Sequence, residues 1–161
     1  MRVLLTGAGG QLGRALIASC PQGVELQACD RQRLDLADAA ACGQAVQAWR
    51  PDWVLNAGAY TAVDRAEAEP ELAMAVNAGA PAAFAQALQA TGGRLLQLST
   101  DFVFNGEQGH PYAPQQQREP LGVYGHSKAA GELAAEQALP ADRLCILRTS
   151  WVYGPVGHNF L

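Results

Sequence analysis

A chain of 161 residues, 49% hydrophobic and 16% charged, has room for one domain and enough apolar material to build a core. Its formal charge of −4 excludes the disordered class, and its ten arginines stand singly, which excludes the clustered basic face of a nucleic-acid binder. No apolar run approaches the roughly 20 residues of a membrane-spanning helix and no signal-peptide pattern opens the chain, so a cytoplasmic protein with no membrane contact is expected.

In chain order, Arg2 to Thr6 is a short apolar run ending in glycines and reads as a buried strand. A helix follows from about 11 to 20, stopped by Pro21. Val24 to Cys29 is a second strand, and 38–49 shows helical spacing of apolar residues. Trp53-Val54-Leu55 is a third strand that opens into Asn56-Ala57-Gly58-Ala59. A helix is expected over 70–90, with Pro70 in its first turn and Gly92-Gly93 as its stop. Arg94 to Ser99 is a fourth strand, 105–120 a long loop, 122–139 a helix, and Leu144 to Leu147 a further strand. This alternation predicts an α/β fold, a Rossmann-like doubly wound parallel sheet with helices on both faces. Cys20, Cys29, Cys42 and Cys145 have no Cys-x-x-Cys pairing and no metal-ligand spacing with His110, His126 or His158. They are expected to be buried, reduced small hydrophobes, and the residues predict no metal site.

Between the first strand and first helix lies Thr6-Gly7-Ala8-Gly9-Gly10-Gln11-Leu12-Gly13. Gly7 permits a sharp turn, Gly10 lets the backbone approach a pyrophosphate, and Gly13 lets the helix pack on the strand. Amides near Gln11 and Leu12 suit the phosphate, aided by the helix dipole. At the end of the second strand, Asp30 suits the ribose hydroxyls of NADH, whereas Arg31, with Arg33, suits the 2′-phosphate of NADPH. Cofactor preference stays open on these residues. Asp35 or Asp38 caps the next helix, and Asp35 is also placed to meet an adenine amino group.

Val123-Tyr124-Gly125-His126-Ser127-Lys128 puts a phenol and an ammonium on one helix face, at i and i+4. A cation there is expected to lower the phenol toward a range useful for proton transfer. Lys128 is the only lysine in a chain that otherwise uses arginine. Hydroxyls from Ser99 and Thr100, at the carboxyl end of the fourth strand, supply a partner for a carbonyl oxygen. Together these groups are what carbonyl reduction by a nicotinamide requires.

With these motifs the chain resembles the extended short-chain dehydrogenase/reductase superfamily. Within it, the chain is most similar to the dTDP-4-dehydrorhamnose reductase family. The resemblance also rests on Asn56-Ala57-Gly58-Ala59-Tyr60-Thr61-Ala62-Val63-Asp64, Glu67-Ala68-Glu69-Pro70-Glu71-Leu72-Ala73, Val76-Asn77, Ser99-Thr100-Asp101-Phe102-Val103-Phe104 and Arg148-Thr149-Ser150-Trp151-Val152-Tyr153-Gly154. It implies reduction of the 4-keto group of a dTDP-sugar, dTDP-4-dehydro-L-rhamnose, with NADPH or NADH. In that reaction Thr100 polarises the keto oxygen, Tyr124 donates the proton, and Lys128 holds the nicotinamide ribose. The resemblance further implies Gly10, Gln11 and Leu12 at the pyrophosphate, Asp30 or Arg31 at the adenosine ribose, and Asp35 with Leu36 at the adenine. Ala59, Tyr60 and Thr61 would line the cofactor, Leu98 would lie beneath the nicotinamide, and Asp101 and Trp151 would contact the sugar. A homodimer of the complete protein and Mg2+ enter by resemblance alone.

Dehydratases of the same superfamily carry Glu where this chain has Phe102, which favours plain reduction over elimination. Gly58 stands where Ala is common in the family, and Ser127 where Thr is common. Family members run to nearly twice this length. Residues 1–161 are therefore expected to be the NAD(P)-binding Rossmann domain, ending at Asn159-Phe160-Leu161 as a helix begins, with most of the sugar-binding portion absent. Such a piece is expected to bind a dinucleotide and turn over substrate poorly. Two other readings are carried: a different nucleotide-sugar reductase or epimerase, and a non-catalytic NADP-binding subunit resembling the methionine adenosyltransferase β subunit.

Overall fold

The short β-branched and leucine runs of the sequence pair as parallel strands, as runs buried on both faces do. The computed structural model describes residues 1–155. In it β1 (Arg2–Thr6), β2 (Glu25–Cys29), β3 (Trp53–Asn56), β4 (Arg94–Thr100) and β5 (Leu144–Thr149) form one sheet in the order β2-β1-β3-β4-β5. The expected residues at the end of the chain, from Val156 onward and including His158, lie outside the described residues.

The first crossover, through α1 (Gln11–Ala18), runs from β1 outward to β2. Those through α2 (Ala39–Trp49), α5 (Ala80–Thr91) and α6 (Val123–Ala138) run the other way. Because such connections are right-handed, α1 stands on one face and the other three on the opposite face. Accordingly α2 packs on α5 and α5 on α6. Leu4, Val54 and Leu95 meet Cys42, Val46, Phe84, Leu88 and Ala135 in one buried cluster beneath them. Each large apolar side chain there contributes about 1.5–3 kcal/mol. The expected doubly wound sheet is what forms. Its strand order reverses between β1 and β3, and the crevice at their carboxyl ends is where such sheets take ligands.

The differences from expectation are local. The helix expected over 70–90 is α4 (Pro70–Met74), a π-helical turn at Ala75–Gly79, and α5, which Gly92 ends in the left-handed region at φ 94°. The short α3 (Val63–Ala66) and 3-10 turns at Asp101–Val103 and Ala141–Arg143 carry too few residues to show a period. Asp38, not Asp35, caps α2, accepting the Ala41 N–H at 2.9 Å. Cys29 and Cys42 are buried as expected, but Cys20 is only half-buried and Cys145 is exposed. Cys145 lies on β5, a sheet edge among the described residues, on the same side as exposed Leu147.

Candidate active site

Gly7 leaves β1 with φ +67°, in the left-handed region that favours glycine. A Cβ on Gly7 would stand 2.6 Å from the Gly58 nitrogen, and one on Gly13 only 2.1 Å from the Gly7 oxygen. The loop after β1, the loop after β3 and the first turn of α1 thus meet backbone to backbone. The helix α1 opens at Gly10 in extended conformation with no side-chain cap, which leaves that position to an anion. This is a cradle suited to a pyrophosphate, with Gln11 and Leu12 in the first helical turn.

Beside it a cleft of about 250 Å³ is lined by Gly7, Arg31, Asp35, Leu36, Ala59 and Tyr60, with Arg65 at its rim. Six of the residues expected at the cofactor therefore share one cavity. Thr61 is exposed and is not part of the lining. Asp30 is not part of it either: its Oδ1 accepts the Gln32 and Arg33 N–H groups, at 3.1 and 3.0 Å. Arg33 turns back to the Ala28 carbonyl. Of the three polar candidates at the end of β2, only Arg31 faces the cleft. Tyr60 donates its hydroxyl to Glu69 at 2.7 Å, and burial together with Glu69 raises its phenol.

Under the glycine loop, buried polar side chains link three strand ends. Thr6 Oγ1 donates to Asn56 Oδ1 at 2.6 Å, Asn56 Nδ2 to Gln97 Oε1 at 2.7 Å, and Gln97 Nε2 to the Leu98 carbonyl at 2.8 Å. The Gly58 N–H donates back to Thr6 Oγ1. Every link is satisfied, so the network rigidifies the sheet edge that carries the site.

At the end of β4 the Thr100 side chain stands next to the Tyr124 phenol, and its hydroxyl donates to Asp101 Oδ1 at 3.1 Å. Ser150 donates to the other Asp101 oxygen at 2.7 Å. Phe102 meets the Tyr124 ring edge-on, with centroids 5.6 Å apart. One turn along α6, Lys128 is buried and its Nζ donates to the Leu98 carbonyl at 2.6 Å. Trp151 is exposed beyond β5, in the left-handed region at φ 54°. Such strained backbone clusters at ligand sites.

The electrostatics correct one expectation. Burial pushes the Tyr124 phenol above its ordinary range, Thr100 works against that, and the Asp101 carboxylate adds to it. Lys128 does not lower it, because its ammonium is aimed at the β4 carbonyl. Burial instead lowers Lys128 itself to about 8, with Glu132 pulling the other way.

Two side chains that hold this constellation were not singled out from sequence as site residues. Asn77, buried in the π-helical turn, accepts the Tyr60 N–H at 2.9 Å and donates to the Tyr60 carbonyl and to Ser127 Oγ, both at 3.0 Å. Ser127 in turn donates to the Tyr124 carbonyl at 2.7 Å. The helix α6 comes so close here that a Cβ on Gly131 would lie 2.1 Å from the Asn77 oxygen. Glu132 is fully buried between Arg118, at 2.5 Å, and Arg148, at 2.6 Å. Burial pushes its carboxyl up, but bonds led by Arg148 outweigh this and hold it below the ordinary value.

Among the described residues no three His, Cys, Asp or Glu side chains converge as a metal site. No helix among them is long and apolar enough to cross a membrane. The glycine cradle, uncapped α1 and adjacent cleft do fit a dinucleotide.

A family model described as the RmlD substrate binding domain matches residues 1–161. A dTDP-4-dehydrorhamnose reductase of Streptomyces griseus is 49% identical over 161 residues, which are 99% of this chain and 53% of that protein. A probable dTDP-4,6-dihydroxy-2-methyloxan-3-one 4-ketoreductase of Streptomyces antibioticus is 40% identical, over 100% of this chain and 55% of that one. A crystal structure of dTDP-4-dehydrorhamnose reductase from Bacillus anthracis, in complex with NADP, superposes with a TM-score of 0.93 at 38% identity. It covers 99% of this chain and 56% of the other. The chain spans about half the length of the curated relatives it matches. On the glycine cradle, the Thr100–Tyr124–Lys128 cluster and this match along its length, the chain belongs to the RmlD substrate binding domain family.

Proposed function

We propose that this chain is the nucleotide-binding part of a cytoplasmic reductase that converts the 4-keto group of dTDP-4-dehydro-L-rhamnose to the alcohol of dTDP-L-rhamnose. The observation that carries this reading is the convergence of Thr100 at the end of β4, Tyr124 packed edge-on against Phe102, and buried Lys128 one helical turn along, tied to Leu98 of β4. The likeness to a reductase 49% identical over 161 residues supports it.

When bound, the reduced nicotinamide supplies a hydride to the carbonyl carbon. Thr100 hydrogen bonds the keto oxygen and Tyr124 gives that oxygen its hydroxyl proton, so the C=O becomes CH–OH and the phenolate is reprotonated from solvent. Lys128, fixed to Leu98, holds the ribose and stands one turn from the phenolate as it forms. Asp101 and Trp151 contact the sugar in this reading. Phe102 offers no second carboxylic acid, so elimination has no base at that position. Arg31 in the cleft, with Asp30 spent on its own turn, favours NADPH over NADH.

A second reading keeps the chemistry and changes the sugar, since the 4-ketoreductase relative is 40% identical over 163 residues. The test is consumption of reduced nicotinamide by the protein that carries this chain, offered a panel of dTDP-4-keto sugars. Fastest turnover of dTDP-4-dehydro-L-rhamnose, abolished in Tyr124→Phe, is expected. Preference for another keto sugar overturns the substrate assignment, and full activity in Tyr124→Phe overturns the mechanism. The 161-residue chain alone is expected to bind NADPH and turn over slowly.

A further inference from the structure

We propose that Glu67 is a positioning residue for proton delivery, capping from outside the helix that carries Tyr124 and Lys128. Glu67 Oε1 accepts the Val123 N–H at 2.8 Å, across 56 residues of sequence. Val123 is the first residue of α6, and Gly122 before it has no side chain with which to cap. First-turn amides of a helix need an acceptor from elsewhere, and a carboxylate there is also favoured by the helix dipole.

Glu67 follows α3 directly, on the segment that leaves β3 by way of Ala59 and Tyr60. One carboxylate therefore ties the cofactor-side loop to the residue next to the proton donor. Gly122 is shaped to the same contact. A Cβ there would stand 2.9 Å from Glu67 Oε1, whereas its φ of −109° is open to any residue. The second turn of α6 is held separately, by Asn77 on Ser127. Without the cap the first turn is free to fray, and the phenol loses its fixed distance to Thr100. Proton transfer is sensitive to displacements of that kind.

The effect on rate rests on the proposed reductase reading; the cap does not. The test compares Glu67→Ala, Glu67→Gln and Gly122→Ala in the protein that carries this chain, by amide hydrogen exchange and by steady-state kinetics. In Glu67→Ala the Val123 and Tyr124 amides are expected to exchange faster. There kcat falls roughly five- to tenfold while KM for the nicotinamide stays within about twofold. Glu67→Gln, whose amide oxygen still accepts, recovers most of both. Gly122→Ala obliges the Glu67 carboxylate to shift, so it gives a smaller loss in the same direction and adds little on top of Glu67→Ala, as two lesions of one contact do. Unchanged exchange in Glu67→Ala overturns the cap. Faster exchange with unchanged kcat, or equal losses in the Ala and Gln variants, overturns the positioning role. A wild-type protein that reduces no 4-keto nucleotide sugar overturns the reductase reading alone, and the exchange measurement then still decides the cap.

Discussion

The Lys128 ammonium donates to the Leu98 carbonyl at 2.6 Å, which anchors the only lysine of the chain to the strand that ends in Thr100. The anchor is one hydrogen bond on a buried charge, and burial outweighs it: Lys128 falls from 10.5 to about 8. Below pH 8 both folded and unfolded chains carry the proton, and the folded state bears the full penalty of the buried charge. Between about 8 and 10.5 the unfolded chain binds more protons, so stability rises with pH in that window. The shift corresponds to about 3 kcal/mol. Urea unfolding of wild type and Lys128→Met from pH 7 to 10.5 is expected to show wild type gaining on the variant by that amount. Parallel curves would contradict a buried, charged lysine.

The same ordering of titrations predicts the pH profile of the reaction. Tyr124 is raised above its ordinary range, so the phenol proposed as proton donor keeps its proton throughout the neutral region. Lys128 is the first of the pair to change state as pH rises. A plot of kcat/KM is therefore expected to descend near pH 8, because that ratio reports groups of the free enzyme. A descent only above pH 10 would reassign the limb to the phenol. Tyr124→Phe is expected to lose roughly 100-fold or more in kcat, with NADPH binding little changed.

How far the sequence reveals this molecule depends on how local each cause is. Gly7 to Gly13 is legible because a turn, a close approach and a helix start are all made by neighbours in sequence. Tyr124 and Lys128 are legible because four residues on a helix fix a face. The break in the helix expected over 70–90 is not, because the π-helical turn brings Asn77 to Tyr60 and Ser127, which belong to other elements. Glu132 reads as an ordinary helical acid until Arg118 and Arg148 arrive from a loop and from β5. The direction of the Tyr124 shift failed for a related reason: spacing places a cation near a phenol but does not show which oxygen the cation faces.

Asn56 offers a stability test of the strand-end network. In Asn56→Leu the Thr6 hydroxyl proton and the Gln97 carbonyl oxygen lose their partners inside the sheet. Stranding two buried polar groups costs about 2–4 kcal/mol, more than the apolar gain from leucine returns. The urea midpoint is expected to fall with the slope unchanged. Thr6→Val on top of Asn56→Leu should recover part of the loss, since it removes one stranded donor. A neutral Asn56→Leu would show that the network is dispensable.

Cofactor choice follows from what the end of β2 does with its polar groups. Asp30, the residue that would favour NADH, has Oδ1 engaged by two backbone amides of its own turn. Arg33 is drawn back to Ala28, and Arg31 lines the cleft with Asp35 and Leu36. A guanidinium there gains a charge-assisted pair from a 2′-phosphate and nothing comparable from a 2′-hydroxyl. Because Arg31 is exposed, screening limits the gain, and Arg31→Ala is expected to weaken NADPH roughly tenfold. NADH binding should change by less than about twofold in the same variant, since it lacks the group that Arg31 meets. Asp30→Ala, in contrast, should loosen the turn and weaken both cofactors alike. Fluorescence titration of each variant with each dinucleotide separates these outcomes, and equal losses for NADPH and NADH in Arg31→Ala would return the choice to Asp30.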